Sequence, residues 1–133
     1  MESKKLAQLC RELADNKKAE NIVLLDVHEV SSVTDYFVVA TGTSEPHLRA
    51  ITGEIVDKLR EAHGIAPHAI DGGQQAGWVV LDYIDVIVHV MRPEVRQQYD
   101  LEGLWNDAPR VRPARKRKPK ATAGAVAETP AEA

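Results

Sequence analysis

The stretch GWVVLDYIDVIVHVM, residues 77–91, alternates small aliphatic side chains with larger and polar ones on both sides of a central Asp-Tyr-Ile-Asp. A side-chain period of two marks a strand with two unlike faces. Two such runs, WVVLD and DVIVHVM, divided by so short a break, read as a β-hairpin. With the turn on Tyr83-Ile84, Leu81 lies opposite Val86, and cross-strand partners share a face. One face then gathers Val79, Leu81, Val86, Val88 and Val90. It is purely aliphatic and is expected to lie beneath helices. The other gathers Trp78, Val80, Asp82, Asp85, Ile87, His89 and Met91. Ile84 fits the turn poorly, because a β-branched residue resists the positive φ of the tightest hairpins. A slightly longer turn keeps the same faces.

The mixed face decides the functional reading. A solvated face rarely holds Trp, Ile and Met together, and a buried one rarely holds two Asp and a His without partners. An apolar centre, an aromatic anchor and a charged rim suit a protein-binding surface. The competing reading folds the C-terminal segment PEVRQQYDLEGLW over this face and takes Trp78 into the core. Tyr99, Leu101 and Trp105 would then form a wall beside it. His89 taken alone is a structural residue; its place in a binding surface depends on the face assignment.

Working outward, DYFVVATGTSEPHLRAI, residues 35–51, joins a strand to a helix through Gly42-Thr43-Ser44. Such a junction can hold an anion. A phosphate loop, however, needs more glycine and a lysine. Here there is one Gly, no Lys, and Glu45 at the mouth, where a carboxylate suits the helix dipole and competes with phosphate. An ordinary capped turn is expected, with Thr43 or Ser44 as cap and Pro46 in the first turn. Leu48, Ile51, Ile55 and Leu59 continue the helix and Gly64 stops it. No G-x-S-x-G frames Ser44 for hydrolysis. Asp82 and Asp85 flank a turn, where carboxylates serve local hydrogen bonding. The five histidines have no zinc spacing. No catalytic residue, metal ligand or cofactor is therefore expected.

A first helix, about residues 3–18, carries Leu6, Leu9, Cys10 and Leu13 on one stripe. Cys10 reads there as a small packed side chain rather than a nucleophile. NIVLLDV is a further strand, HEVSSVT a loop, IAPHAI a short segment and DGGQQAG a flexible loop. The order is α-β-β-α-(β)-β-β-α: an α/β fold with a mixed β-sheet sandwiched with helices.

The chain's 133 residues fit one domain. No apolar run approaches the roughly 20 residues of a membrane span, and the charged N-terminus MESKKLAQLCREL lacks the apolar stretch of a secretory signal. With one cysteine, a cytoplasmic location is expected. Residues 1–109 carry 10 Lys and Arg against 18 Asp and Glu, a net of −8; residues 110–133 carry 7 against 2, a net of +5. The acidic body is suited to a basic protein surface rather than to phosphate backbones. The tail 110–133, rich in Pro, Ala and basic residues, is expected to be disordered and to touch RNA weakly at most.

Several motifs in one order resemble the ribosomal silencing factor (Iojap) family across residues 4–105. They are DYFVVATGTS with His47 and Ala50-Ile51, then GWVVLD, VHV, and R-x-x-Y-x-L-E-x-L-W from Arg96 to Trp105. The resemblance implies a nucleotidyltransferase-like fold without catalytic acids. It implies binding to the large ribosomal subunit through ribosomal protein L-fourteen, which blocks joining of the small subunit and represses translation when nutrients are scarce. A part in large-subunit maturation and a homodimer in isolation are implied as well. Many members end near the L-W motif, so the basic tail is a departure. On this reading the partner surface comprises Trp78, Val80, Asp82, His89, Met91, Tyr99, Leu101, Glu102 and Trp105. Trp78 and Tyr99 would be anchors, and Asp82 and Glu102 would meet Lys or Arg. Trp105 would either join them or pin the C-terminal segment to the sheet.

Overall fold

A computed structural model describes residues 1–105 and 108–111. Helix α1 (Ser3–Asn16) leads into strands β1 (Glu20–Asp26) and β2 (Tyr36–Thr41), followed by helix α2 (Glu45–His63). Strands β3 (Ala69–Gly73), β4 (Trp78–Asp82) and β5 (Val86–Met91) come next, then the short helices α3 (Pro93–Tyr99) and α4 (Leu101–Leu104). The strands form one mixed sheet in the order β1-β2-β5-β4-β3. Only the central β2–β5 pair is parallel. A parallel pair needs a long crossover, and α2 with β3 and β4 supplies it.

Both long helices pack on one face of the sheet. Leu6, Ala7, Cys10, Leu13 and Ala14 of α1 meet Leu48, Ile51, Ile55 and Leu59 of α2 over Val38, Ala40, Val79, Leu81, Val86, Val88 and Val90. The aliphatic hairpin face thus lies under helices, as its alternation demands. Leu48, Ile51, Ile55 and Leu59 are completely buried; truncating any one to Ala costs about 2–5 kcal/mol. Cys10 is also completely buried, and burial pushes its thiol up to about 12. It is a packing residue.

The hairpin turn sits one step later than the sequence suggests. Leu81 pairs with Val88 and Asp82 with Ile87, and Tyr83 N–H donates to Val86 O at 2.8 Å. Moving the turn by one residue moves the pairing by two, so no side chain changes face. Asp85, expected on the same face as Trp78, instead lies exposed in the turn. Ile84 adopts the positive φ it was expected to resist, at 73°. Asp82 Oδ1 accepts its N–H at 2.7 Å, and Asp85 N–H donates to Tyr83 O at 2.9 Å, which holds the strained residue in place.

Strand β3 takes in Asp71-Gly72-Gly73, which composition had placed in a loop. Gly72 has φ 77°, and a Cβ on it would collide with the Trp78 carbonyl oxygen. Only glycine allows this close approach. On the far edge, residues 109–111 run beside β1. Asp26 N–H donates to Pro109 O and Val111 N–H to Leu24 O. Sheet pairing therefore continues past residue 109 to Val111. The basic tail expected to be disordered, beyond Val111, lies outside the described residues.

Candidate partner-binding face

The second face of the sheet meets no long helix among the described residues; α3, α4 and Ala108 cover it only in part. Leu25, Val27, Phe37 and Ala108 form a small cluster there, with Val23, Ile87 and Trp105 packed against it. Trp105 meets Phe37 edge to face, with ring centroids 5.4 Å apart. It pins the C-terminal segment to the sheet, the second of the two roles the sequence left open.

Beside this cluster the rings continue. Phe37 meets His89 at 5.2 Å, His89 meets Trp78 at 5.9 Å, and Trp78 meets Tyr99 at 4.8 Å. One line of aromatic side chains thus crosses β2, β5 and β4 and ends on α3. Tyr99 is 53% exposed, whereas Trp78, Val80 and Leu101 are partly buried. Trp78 and Tyr99 make an accessible apolar surface, with Val80 on the same face of β4 and Asp82 partly exposed at the hairpin end of that strand.

Two residues expected on this surface are not accessible. Met91 is completely buried: it sits between Thr41 and Trp78 on the neighbouring strands, and the chain turns at once into α3. His89 is 8% exposed, covered by the rings on either side. Burial pushes its imidazole down to about 4, so it is neutral at ordinary pH. Its Nδ1 accepts the Trp78 indole N–H at 3.1 Å, which leaves the ring proton on Nε2. That atom has no hydrogen-bond partner among the described residues.

Glu102 is accessible in part, but its charge is already engaged. Arg96 donates to both its oxygens, at 3.0 and 2.8 Å, and to Thr41 Oγ1 at 2.8 Å. This hydrogen-bonded pairing with Arg96 holds the Glu102 carboxyl below its ordinary range, with a smaller contribution from Arg110. The bidentate pair ties α3 and α4 to β2. Arg96 stood inside a recognised motif yet was given no role: its partner Thr41 is 55 residues away in sequence, and no local pattern announces such a bond. Asp100, with φ 45°, caps α4 by accepting the Gly103 N–H, and so sets the sharp bend between α3 and α4.

An open cleft of about 440 Å³ lies between Glu20, Thr41, Arg96 and Asp100. Its central cation, Arg96, is the one already paired with Glu102. The Gly42-Thr43-Ser44 junction is an ordinary cap. Ser44 Oγ accepts the His47 N–H, His47 Nδ1 accepts the Thr43 N–H, and the Gly42 N–H bonds Met91 O. The Gly42, Thr43 and His47 amides are thereby engaged within the protein. Among the described residues no three His, Cys, Asp or Glu side chains converge as they would around a metal. None of their helices is long and apolar enough to cross a membrane.

Comparison with known proteins agrees with this architecture. The family model described as ribosomal silencing factor during starvation matches residues 1–133. A ribosomal silencing factor RsfS from Halalkalibacterium halodurans is 40% identical over 84% of this chain and 94% of its own. The mouse protein named mitochondrial assembly of ribosomal large subunit protein 1 is 33% identical over 70% of this chain and 42% of its own. A crystal structure from Chromobacterium violaceum superposes with a TM-score of 0.76 at 34% identity, covering 87% of this chain and 95% of that one. With a family model spanning its whole length and a bacterial relative 40% identical over 94% of that relative's length, the chain belongs to the ribosomal silencing factor family.

Proposed function

We propose that this protein binds the large ribosomal subunit through ribosomal protein L-fourteen, using the face built around Trp78 and Tyr99. Bound there, it bars the small subunit from joining and so represses translation when nutrients are scarce. The mechanism is steric and catalyses no reaction. It needs a tight patch at a place where another body must dock. The protein acts in the cytoplasm, is a homodimer when free, and also assists large-subunit maturation. The name of the mouse relative, which refers to assembly of the large subunit, supports that last part.

The observation that carries the reading is the Trp78–Tyr99 ring contact, tilted at 46°, with Tyr99 half exposed, on a body whose net charge over residues 1–109 is −8. Aromatic anchors dominate the energy of protein interfaces. An acidic body steers them toward a basic partner. Asp82, free of any strong cationic partner among the described residues, is the carboxylate placed to meet a Lys or Arg. Glu102, already held by Arg96, orders the surface instead.

Co-sedimentation tests the proposal. The purified protein should travel with free large subunits and not with joined ribosomes. Equal association with both would overturn the steric mechanism.

A further inference from the structure

We infer that His89 is a positioning residue for the partner face: its Nδ1 takes the Trp78 indole N–H and fixes that ring, so that the ring surface and not the N–H meets the partner. The inference rests on the proposed role of this face and names what presets it.

His89 cannot touch a partner itself, since it is 8% exposed. Its own ring is held on one side by Phe37, at 5.2 Å and 73°. The other side faces Trp78, which donates to it at 3.1 Å. Its Nε2–H lacks a partner among the described residues. An aliphatic or phenyl side chain would fill the same space without that orphaned donor. What such a side chain lacks is the acceptor at Nδ1. Because burial keeps the imidazole neutral, the acceptor is available at any ordinary pH. The backbone is fixed in the same place: Gly72 lets β3 close directly on the Trp78 carbonyl. Main chain and side chain of the anchor are thus both held before any partner arrives. Tyr99, half exposed at the end of α3, rests at a tilt against a ring already in position.

The indole N–H being spent inward, Trp78 presents only its π face and carbon edge. Those surfaces take an aliphatic or cationic side chain. They do not select a hydrogen-bond acceptor. A preset aromatic anchor loses less conformational freedom on binding, and the gain shows as affinity.

The test compares full-length wild type with His89→Leu and His89→Asn. Leu removes the acceptor, whereas the Asn side-chain oxygen falls near the position of Nδ1 and keeps it. Two readouts are taken: the Trp78 indole ¹H–¹⁵N resonance of the free protein, and affinity for purified large subunits. In the Leu variant the resonance should move to the position of an unbonded indole, its exchange with solvent should quicken, and affinity should fall about tenfold. In the Asn variant both should return most of the way to wild type. A merely structural role predicts that both variants lose affinity in proportion to any loss of thermal stability, with no rescue by Asn. That result overturns the inference, as does a Leu variant with a released indole and unchanged affinity. Should the Leu variant not fold, His89→Phe takes its place with the same expectations. Wild-type protein that fails to bind large subunits overturns the ribosomal reading itself, and is told apart by that control alone.

Discussion

Between pH 6.5 and about 4, acid should destabilise this protein chiefly through His89. The imidazole is pushed from 6.5 down to about 4 by burial. Between these values the unfolded chain binds a proton there and the folded chain does not. Stability therefore rises with pH across that window and is lost as pH falls through it. At about 1.4 kcal/mol per unit, the full effect is about 3 kcal/mol, of which about 2.5 should be gone by pH 4.5. That is a large share of the roughly 5–15 kcal/mol that holds a domain together. Protonation also removes the acceptor for Trp78, so the loss should carry a change in indole environment. Glu102 acts in a lower window: its folded value is depressed by Arg96, so its contribution is present above the ordinary carboxylate value and fades only as pH falls below it. His28, raised by its hydrogen bond to Asp26, has the opposite sign: its contribution is present below the ordinary histidine value and is lost as pH rises. The assay is urea unfolding by far-ultraviolet circular dichroism at pH 4.5, 5.5, 6.5 and 7.5, for wild type and His89→Leu. Subtracting the two profiles cancels Glu102 and His28. Wild type should lose about 2–3 kcal/mol more than the variant between pH 7.5 and 4.5. Parallel profiles would show that His89 is not held neutral by the fold.

Three further outcomes follow from the geometry. Trp78→Ala and Tyr99→Ala should each weaken large-subunit binding by at least about 30-fold, the loss of a central anchor, while circular dichroism stays that of the wild type; a less than threefold change for both would place the partner elsewhere. Arg96→Ala leaves Glu102 without its bidentate partner and frees α3 and α4 from β2, so stability should fall by about 2–4 kcal/mol and hydrogen exchange in residues 93–105 should accelerate ahead of the sheet; uniform protection across both would refute the clamp. Gly72→Ala forces a side chain into positive φ and against the Trp78 carbonyl, so the melting temperature should drop by well over the few degrees that about 1 kcal/mol produces; an unchanged melting temperature would mean β3 does not approach β4 so closely.

The Arg96–Glu102 pairing also changes how charge reversal should be read on the partner face. Glu102→Lys would set two cations against each other inside the clamp, so a loss of binding would report unfolding of α3 and α4. Asp82→Lys is the cleaner probe, although Asp82 also accepts the Ile84 N–H at the strained turn. Asn at position 82 keeps that acceptor and removes the charge, which separates the two roles.

By itself, the sequence determined which residues share a face and where most elements begin and stop. The period of two in residues 78–91 sorted Val79, Leu81, Val86, Val88 and Val90 from Trp78, Val80 and His89, and the two-residue error in the pairing register left that sorting intact because the pleat repeats every two residues. Ser44 and Gly64 delimited α2 through local amide and carbonyl chemistry that needs no distant partner. What lies next to a face was settled only by tertiary structure. Alternation names the side of a strand but not its neighbour, so it could not foresee that β5 would lie between β2 and β4, or that Met91 would be completely buried between Thr41 and Trp78. Nor could it tell that Glu102 would give its charge to Arg96, or that His89 would face inward onto Trp78. Those outcomes depend on groups brought together across tens of residues, where packing and hydrogen-bond satisfaction decide and no sequence period exists to be read.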